Sequence, residues 1–157
     1  MDELTPERLV SLLRERGLTL CCAESCTGGW FSKRIVDVAG ASAVFLGGVV
    51  SYVNEIKEKI LGVSRELLDC YTAVSAPVAK AMAEGVRERF GADIGISVTG
   101  LAGPGGGTDE IPVGRVFVGI ATENATEVLT LTLSGTREDV RFAATEEMMA
   151  ALINRLL

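Results

Sequence analysis

The amino-acid sequence predicts an α/β fold: a single domain in three layers, α/β/α, around a mixed sheet whose early strands run parallel and whose last two form a β-hairpin. Three observations carry this expectation. Segments of helical period alternate with short, uniformly apolar runs, the mark of strands covered on both faces. Two late apolar runs are separated only by Glu123-Asn124-Ala125, too short for a crossover and right for a hairpin. The chain has 157 residues, 48% of them hydrophobic and 23% charged, enough for one self-sufficient core over residues 1–157 with no linker or internal repeat.

Thr5-Pro6 reads as an N-cap and first helical position, Leu9, Val10 and Leu13 recur at helical spacing, and Gly17 stops the turn, so a helix is expected over 6–16. Residues 18–23 form the first strand. It ends in Glu24-Ser25-Cys26-Thr27-Gly28-Gly29, after which 30–38 resumes a helical pattern. A second strand is expected over 43–52, with Gly47-Gly48 marking a bulge or a close backbone approach. It runs into Asn54 as the N-cap of a helix over 55–61. Val78, Met82, Val86 and Phe90 step by four and predict an amphipathic helix over 75–90. A strand over 93–98 leads into the glycine-rich loop 99–107. Strands over 113–122 and 127–133 form the hairpin, and Val140, Ala144, Met148, Ala151 and Leu152 give a final helix over 137–156.

Composition narrows the chemistry. There is no histidine, which removes Ser-His-Asp triads, Cys-His pairs and His-ligated metals. Only four lysines and two tyrosines are available as further proton acceptors. Fifteen Lys+Arg against 21 Asp+Glu give a net charge of −6, which argues against nucleic acid as a partner. No apolar run reaches the roughly 18 residues of a membrane span, and the Met1-Asp2-Glu3-Leu4 start lacks the pattern of a signal peptide, so a cytoplasmic location with reduced thiols is expected. The four cysteines include adjacent Cys21 and Cys22, which on a strand face opposite ways, so they are read as buried thiols and no metal site is assigned.

Ligands in α/β sheets gather at the carboxyl ends of strands. Three such ends carry chemistry. Ser25 follows the first strand at a helix start, where it is either an N-cap or an exposed nucleophile. Tyr52 and Lys57 bracket the Asn54 turn. Lys57 in the first turn of its helix would feel the positive end of the macrodipole, which lowers its pKa; with imidazole absent, a Ser-Lys or Ser-Tyr-Lys set is the familiar way left to activate a serine, although spacing alone also allows a solvated lysine. The loop 99–107 is neither a Walker A nor a dinucleotide fingerprint, but its amides could wrap an anion.

Residues 23–29 (AESCTGG), 47–57 (GGVVSYVNEIK) and 97–104 (SVTGLAGP) through Pro112-Val113-Gly114 resemble the three signature blocks of the CinA C-terminal domain family. The similarity runs over nearly the whole chain, including 135–141. The resemblance implies a stand-alone nicotinamide-nucleotide amidase, converting nicotinamide mononucleotide to nicotinate mononucleotide and ammonia, without cofactor or metal. Its nucleophile falls on Ser25, its tyrosine on Tyr52, as proton relay, and its lysine on Lys57. Substrate contacts are expected from Thr27, Gly28, Gly48, Thr99, Gly100 and Gly103, with Thr99-Gly100 as an oxyanion turn. Arg137 or Arg141 would hold the phosphate. Relatives also suggest a homo-oligomer, a dimer. Ile111 stands where many relatives carry lysine, Val53 where serine is common and Ala76-Pro77 where an acidic pair is common. The alternatives are a catalytically weak nucleotide-binding or regulatory paralogue, or a serine amidase for another small amide.

Overall fold

In the computed structural model, which describes residues 3–157, two helical layers enclose a five-stranded sheet. The first two residues of the N-terminal segment discussed above lie outside the described residues. The elements, in order, are α1 (Pro6–Arg16), β1 (Leu20–Glu24), α2 (Trp30–Val36), a 3-10 turn (Ala41–Ala43), β2 (Phe45–Val50), α3 (Asn54–Leu61), α4 (Arg65–Tyr71), α5 (Ala76–Phe90), β3 (Ile94–Gly100), β4 (Arg115–Ala121), β5 (Thr126–Thr132) and α6 (Arg137–Leu156). The sheet order is β2-β1-β3-β4-β5. β1 is parallel to both β2 and β3, whereas β4 is antiparallel to β3 and to β5.

The strands' alternation separates two cores. Cys22, Ile96, Val98, Val116, Val118 and Ile120 pack under α1, α2 and α6; Cys21 and Ala23 pack with Leu61, Leu68, Val78, Met82 and Val86 under α3, α4 and α5. Adjacent Cys21 and Cys22 therefore serve opposite faces, and with Cys26 they are buried, whereas Cys70, on the outer side of the short α4, is exposed and not the buried thiol expected. Caps fix the helix ends: Thr5 accepts from Arg8 N, Ser75 from Val78 N, and Thr136 and Asp139 form a capping box on α6. Among the described residues, no helix is long and apolar enough to cross a membrane.

Several boundaries differ from the sequence expectation. β1 continues through Glu24 because the carboxylate is satisfied inside the protein, which hydropathy alone does not register. The helix α4 has no counterpart in the sequence reading; its seven residues are too few to display a period, although Ser64 caps it through Leu67 N. Asn54 is the first helical residue of α3 and not its cap, since Val53 holds that position without a side-chain hydrogen bond. β3 extends to Gly100, so Thr99 and Gly100 belong to the ladder and not to a turn. The bulge at Gly47 is present: Leu20 pairs with Phe45, but Cys21 pairs with Gly47.

Gly85 decides how α3 sits. A Cβ there would fall inside contact distance of the Leu61 carbonyl, so α5 offers α3 a flat seat only without a side chain. Alanine ordinarily gains about 1 kcal/mol over glycine inside a helix, whereas overpacking costs about 1–3 kcal/mol. Because the contact is with backbone, Gly85→Ala is expected to lower stability by about 1–3 kcal/mol in urea unfolding; an unchanged or higher midpoint would show that α3 can lift away.

Candidate active site

Ser25 is the first residue past β1; it is buried, not exposed as expected, and it does not cap α2, a position Gly29 holds, while its amide still donates to Val98 O at 3.1 Å and ties it to the end of β3. The turn that follows needs Gly28 and Gly29 at φ +60° and +102°, and it closes with Gly28 N donating to Ser25 O at 3.1 Å. Beneath it lies Glu24, fully buried, whose carboxylate accepts from Thr27 Oγ1 (2.5 Å), Phe31 N (2.9 Å), Ser32 N (3.0 Å) and Ser32 Oγ (2.7 Å). The carboxylate thus fills the amino end of α2 and clamps both flanks of the serine turn.

Lys57 lies in α3, only 1% exposed. Its Nζ donates to Ser25 Oγ at 2.9 Å, to Ser51 O at 2.6 Å and to Tyr52 O at 3.2 Å. Two of these three partners are carbonyls, which can only accept. When the amine is neutral its two N–H bonds therefore satisfy the carbonyls and its lone pair faces the one partner able to donate, the Ser25 hydroxyl. Burial pushes the Lys57 pKa down from 10.5 to about 8, with the neighbouring Cys26 thiol opposing the shift. The dominant cause is desolvation, not the helix macrodipole expected from sequence. Cys26 itself is pushed up to about 11 by burial and stays a thiol at neutral pH.

These groups line a cavity of about 230 Å³ with Ala73, Val74, Thr99, Gly100, Leu101, Ala102, Tyr52 and Arg137. Backbone alternation aims one amide into it. Val98 O faces β1, and Leu101 exchanges hydrogen bonds with β4, at Arg115 O and Gly114 N, so Gly100 between them faces β1 again, past that strand's end and towards Ser25. Thr99 faces β4 with its amide and gives its hydroxyl to Ala73 O at 2.7 Å.

The remaining candidates divide. Tyr52 is 58% exposed, and its phenol accepts from Arg137 Nη2 at 3.0 Å; only its carbonyl touches Lys57, so the expected phenol relay is not assembled. Arg137 also donates to Gly103 O at 2.8 Å and spans the cavity rim. Arg141, expected as a phosphate ligand, is instead a strut: it donates to Cys26 O and Thr27 O at 2.9 and 3.0 Å and lies over Trp30. Thr27 is fully buried with its hydroxyl on Glu24, and Gly28 packs beneath Arg141, where a Cβ would come within 3.3 Å of Nη2, so neither lines the cavity. Gly48 lies against Cys22, where a Cβ would come within 2.5 Å of Sγ, and is a packing glycine. Gly103 contributes its carbonyl. Sequence reasoning does not single out Glu24 or Ser51; a lone carboxylate closing an apolar strand is the available sign for Glu24. Among the described residues, no group of three Cys, Asp or Glu side chains converges as a metal-ligand set.

A model of the CinA C-terminal domain matches residues 2–156. The chain belongs to the CinA C-terminal domain family. A protein of Caldanaerobacter subterraneus named as competence-damage inducible is 54% identical over 140 residues, 89% of this chain and 34% of the relative. A CinA-like protein of Geobacter sulfurreducens is 46% identical over 156 residues, 99% of this chain and 38% of that protein. The chain thus spans about a third of the length of the curated relatives it matches. Among solved structures, a competence-damaged protein (CinA) superfamily member from Klebsiella pneumoniae superposes with TM-score 0.93 at 35% identity, covering 96% of this chain and 94% of that one. The Agrobacterium tumefaciens competence/damage inducible protein gives 0.87 at 35% identity, covering 98% of each.

Glu24→Ala would leave the Phe31 and Ser32 amides without their acceptor. A loss of at least about 3 kcal/mol is expected in denaturant unfolding, since bonds to a charged group contribute about 1.5–3 kcal/mol each. A loss below about 1 kcal/mol would show that water replaces the carboxylate.

Proposed function

We propose that this chain is a serine amidase that hydrolyses the carboxamide of nicotinamide mononucleotide to nicotinate mononucleotide and ammonia. The observation that carries the reading is the buried Lys57 Nζ, 2.9 Å from Ser25 Oγ and with a lowered pKa. The substrate comes from the family resemblance in the signature blocks. In the proposed mechanism neutral Lys57 takes the Ser25 proton as Oγ attacks the amide carbon. The Gly100 amide, with those following Ser25, stabilises the tetrahedral oxyanion, an effect of about 3 kcal/mol per preorganised donor. The Lys57 ammonium returns the proton to the departing nitrogen, and the C–N bond breaks to release ammonia. Water then attacks the Ser25 ester with Lys57 again as base, breaking the C–O bond, releasing the carboxylate product and restoring the hydroxyl. No cofactor enters these steps.

Proton transfer passes directly between Ser25 and Lys57. Tyr52 supplies its carbonyl to Lys57 and its phenol to the cavity rim, so Tyr52→Phe is expected to keep most of kcat, while an obligatory relay would cost about a hundredfold or more.

Ammonia release from the nucleotide tests the reading: wild type is active, and Ser25→Ala and Lys57→Met each lose about 10⁴-fold or more in kcat. Absence of release by wild type, with the nucleotide still bound, would support a binding or regulatory paralogue; turnover only of other amides would reassign the substrate.

The Lys57 pKa gives two pH signatures. Since the neutral amine is the base, kcat/KM rises with pH and levels off above about 8. The folded protein holds this proton less tightly than the unfolded chain, so the Lys57 contribution to stability rises as pH climbs from about 8 towards 10.5. Unfolding of wild type and Lys57→Met across that range measures it; a flat difference would place the charged form in the folded state throughout.

A further inference from the structure

The nucleotide reading, on which this inference rests, gives the substrate a phosphomonoester as well as a carboxamide. A second cationic site is therefore needed, since Lys57 is occupied with Ser25. Arg141 is spent on the serine turn, and Arg137 on Gly103 O and Tyr52. Arg34, Arg65 and Arg155 pair with Glu146, Glu58 and Glu127, and Arg14, Arg16, Arg87 and Arg89 donate to backbone carbonyls. Arg8 is also engaged. Arg115 differs: its Nε is buried without a partner, and among the described residues it is the one arginine whose side chain makes neither a hydrogen bond nor an ion pair. A buried donor left unpaired costs about 1–3 kcal/mol, so its retention calls for an acceptor that arrives from outside.

Its place in the fold supplies one. Arg115 begins β4, and because β4 is antiparallel to β3 this residue lies at the end of the sheet where β1 and β3 finish, the Ser25 end. Arg115, Phe117 and Gly119 share a face. Phe117 pairs with Thr99 and Gly119 with Ser97, whose hydroxyls bond Ala73 O and Ala79 O, so this is the face bounded by the Ala73–Val74 wall of the cavity. Leu101, which lines that cavity, donates its amide to Arg115 O at 2.9 Å and stands directly beside it. On the other side Arg115 pairs with exposed Thr132, whose hydroxyl falls on the same face. Two strand spacings, about 10 Å, separate β1 from β4.

We infer that Arg115, with Thr132 beside it, binds the phosphomonoester dianion of the substrate, while the carboxamide lies at Ser25 and the ribose crosses the ends of β1 and β3 over Gly100 and Leu101. The guanidinium fork suits two phosphate oxygens, and the bound anion gives the buried Nε its missing acceptor.

The test compares wild type with Arg115→Met on nicotinamide mononucleotide and on its dephosphorylated nucleoside, together with thermal melting. Expected is a loss of about ten- to hundredfold in kcat/KM on the nucleotide, expressed in KM, with a much smaller change on the nucleoside. Because methionine removes an unpaired buried donor, the melting temperature should hold or rise, which a purely structural arginine would not allow. An unchanged nucleotide-to-nucleoside ratio overturns the site. If wild type releases no ammonia from either compound, calorimetry with inorganic phosphate and with the nucleotide separates the two claims. Binding that Arg115→Met weakens upholds the anion site while the amidase reading falls. Equal binding by both proteins, or none by either, overturns the site.

Discussion

One buried amine constrains the rest of this candidate active site. Lys57 Nζ is sealed among Ser25 Oγ, Ser51 O and Tyr52 O, and two of the three can only accept. The chain must therefore deliver both carbonyls from the exit of β2, the hydroxyl from the exit of β1, and the lysine from α3, each to within a hydrogen bond. Parallel pairing of β1 with β2 brings the two exits side by side. The seat of α3 on α5 at Gly85 brings the third. Burial then lowers the Lys57 pKa, because an ammonium surrounded by carbonyls still has less solvation than water provides.

A second buried ionisable side chain sits close by and is kept apart from Lys57. Glu24 directly precedes Ser25 in the chain, yet its carboxylate turns to the donors of α2 and Thr27, while Lys57 turns to acceptors. Were the two to pair, the lysine would be stabilised as a cation and its pKa would rise, which would remove the proposed base. The donors of α2 and Thr27 hold the carboxylate turned away from the amine. The amino end of α2 is therefore filled by the protein's own anion, and under the proposed reaction the substrate's anion has to be met elsewhere on the sheet end.

Much of this was legible in the sequence, for identifiable reasons. The apolar runs marked the three central strands, and the three-residue Glu123-Asn124-Ala125 connection marked the hairpin, because each signal is local. The absence of histidine left few groups able to activate Ser25, and Lys57 is now within hydrogen-bond distance of it. Long-range features were illegible. Nothing in the spacing shows that Arg141 reaches back to Cys26 and Thr27, or that Tyr52 meets Arg137 across the cavity. Gly48 looked like a ligand-facing glycine and proved to be packing against Cys22, since sequence does not distinguish close approach to a ligand from close approach to a neighbouring strand. The sequence predicts the direction of the Lys57 shift but through the macrodipole; burial, which sequence does not give, makes desolvation the dominant effect.

Charge placement ties the proposed chemistry to the proposed substrate. A chain of net charge −6 repels anions at long range, yet Arg137 and Arg115 stand at the same end of the sheet as Ser25. Arg137 occupies the first turn of α6, where the helix dipole disfavours a cation and where Asp139 supplies a capping carboxylate. A buried guanidinium nitrogen left unpaired at Arg115 is unfavourable for the empty protein and favourable for one holding an anion. Under the proposed reaction the same field has a kinetic consequence. Hydrolysis replaces a neutral carboxamide with a carboxylate beside Lys57, and that new negative charge raises the lysine's pKa while product remains bound. Product therefore holds the base in its protonated form, and the centre recovers only as the carboxylate leaves, which couples the release of product to the regeneration of the amine.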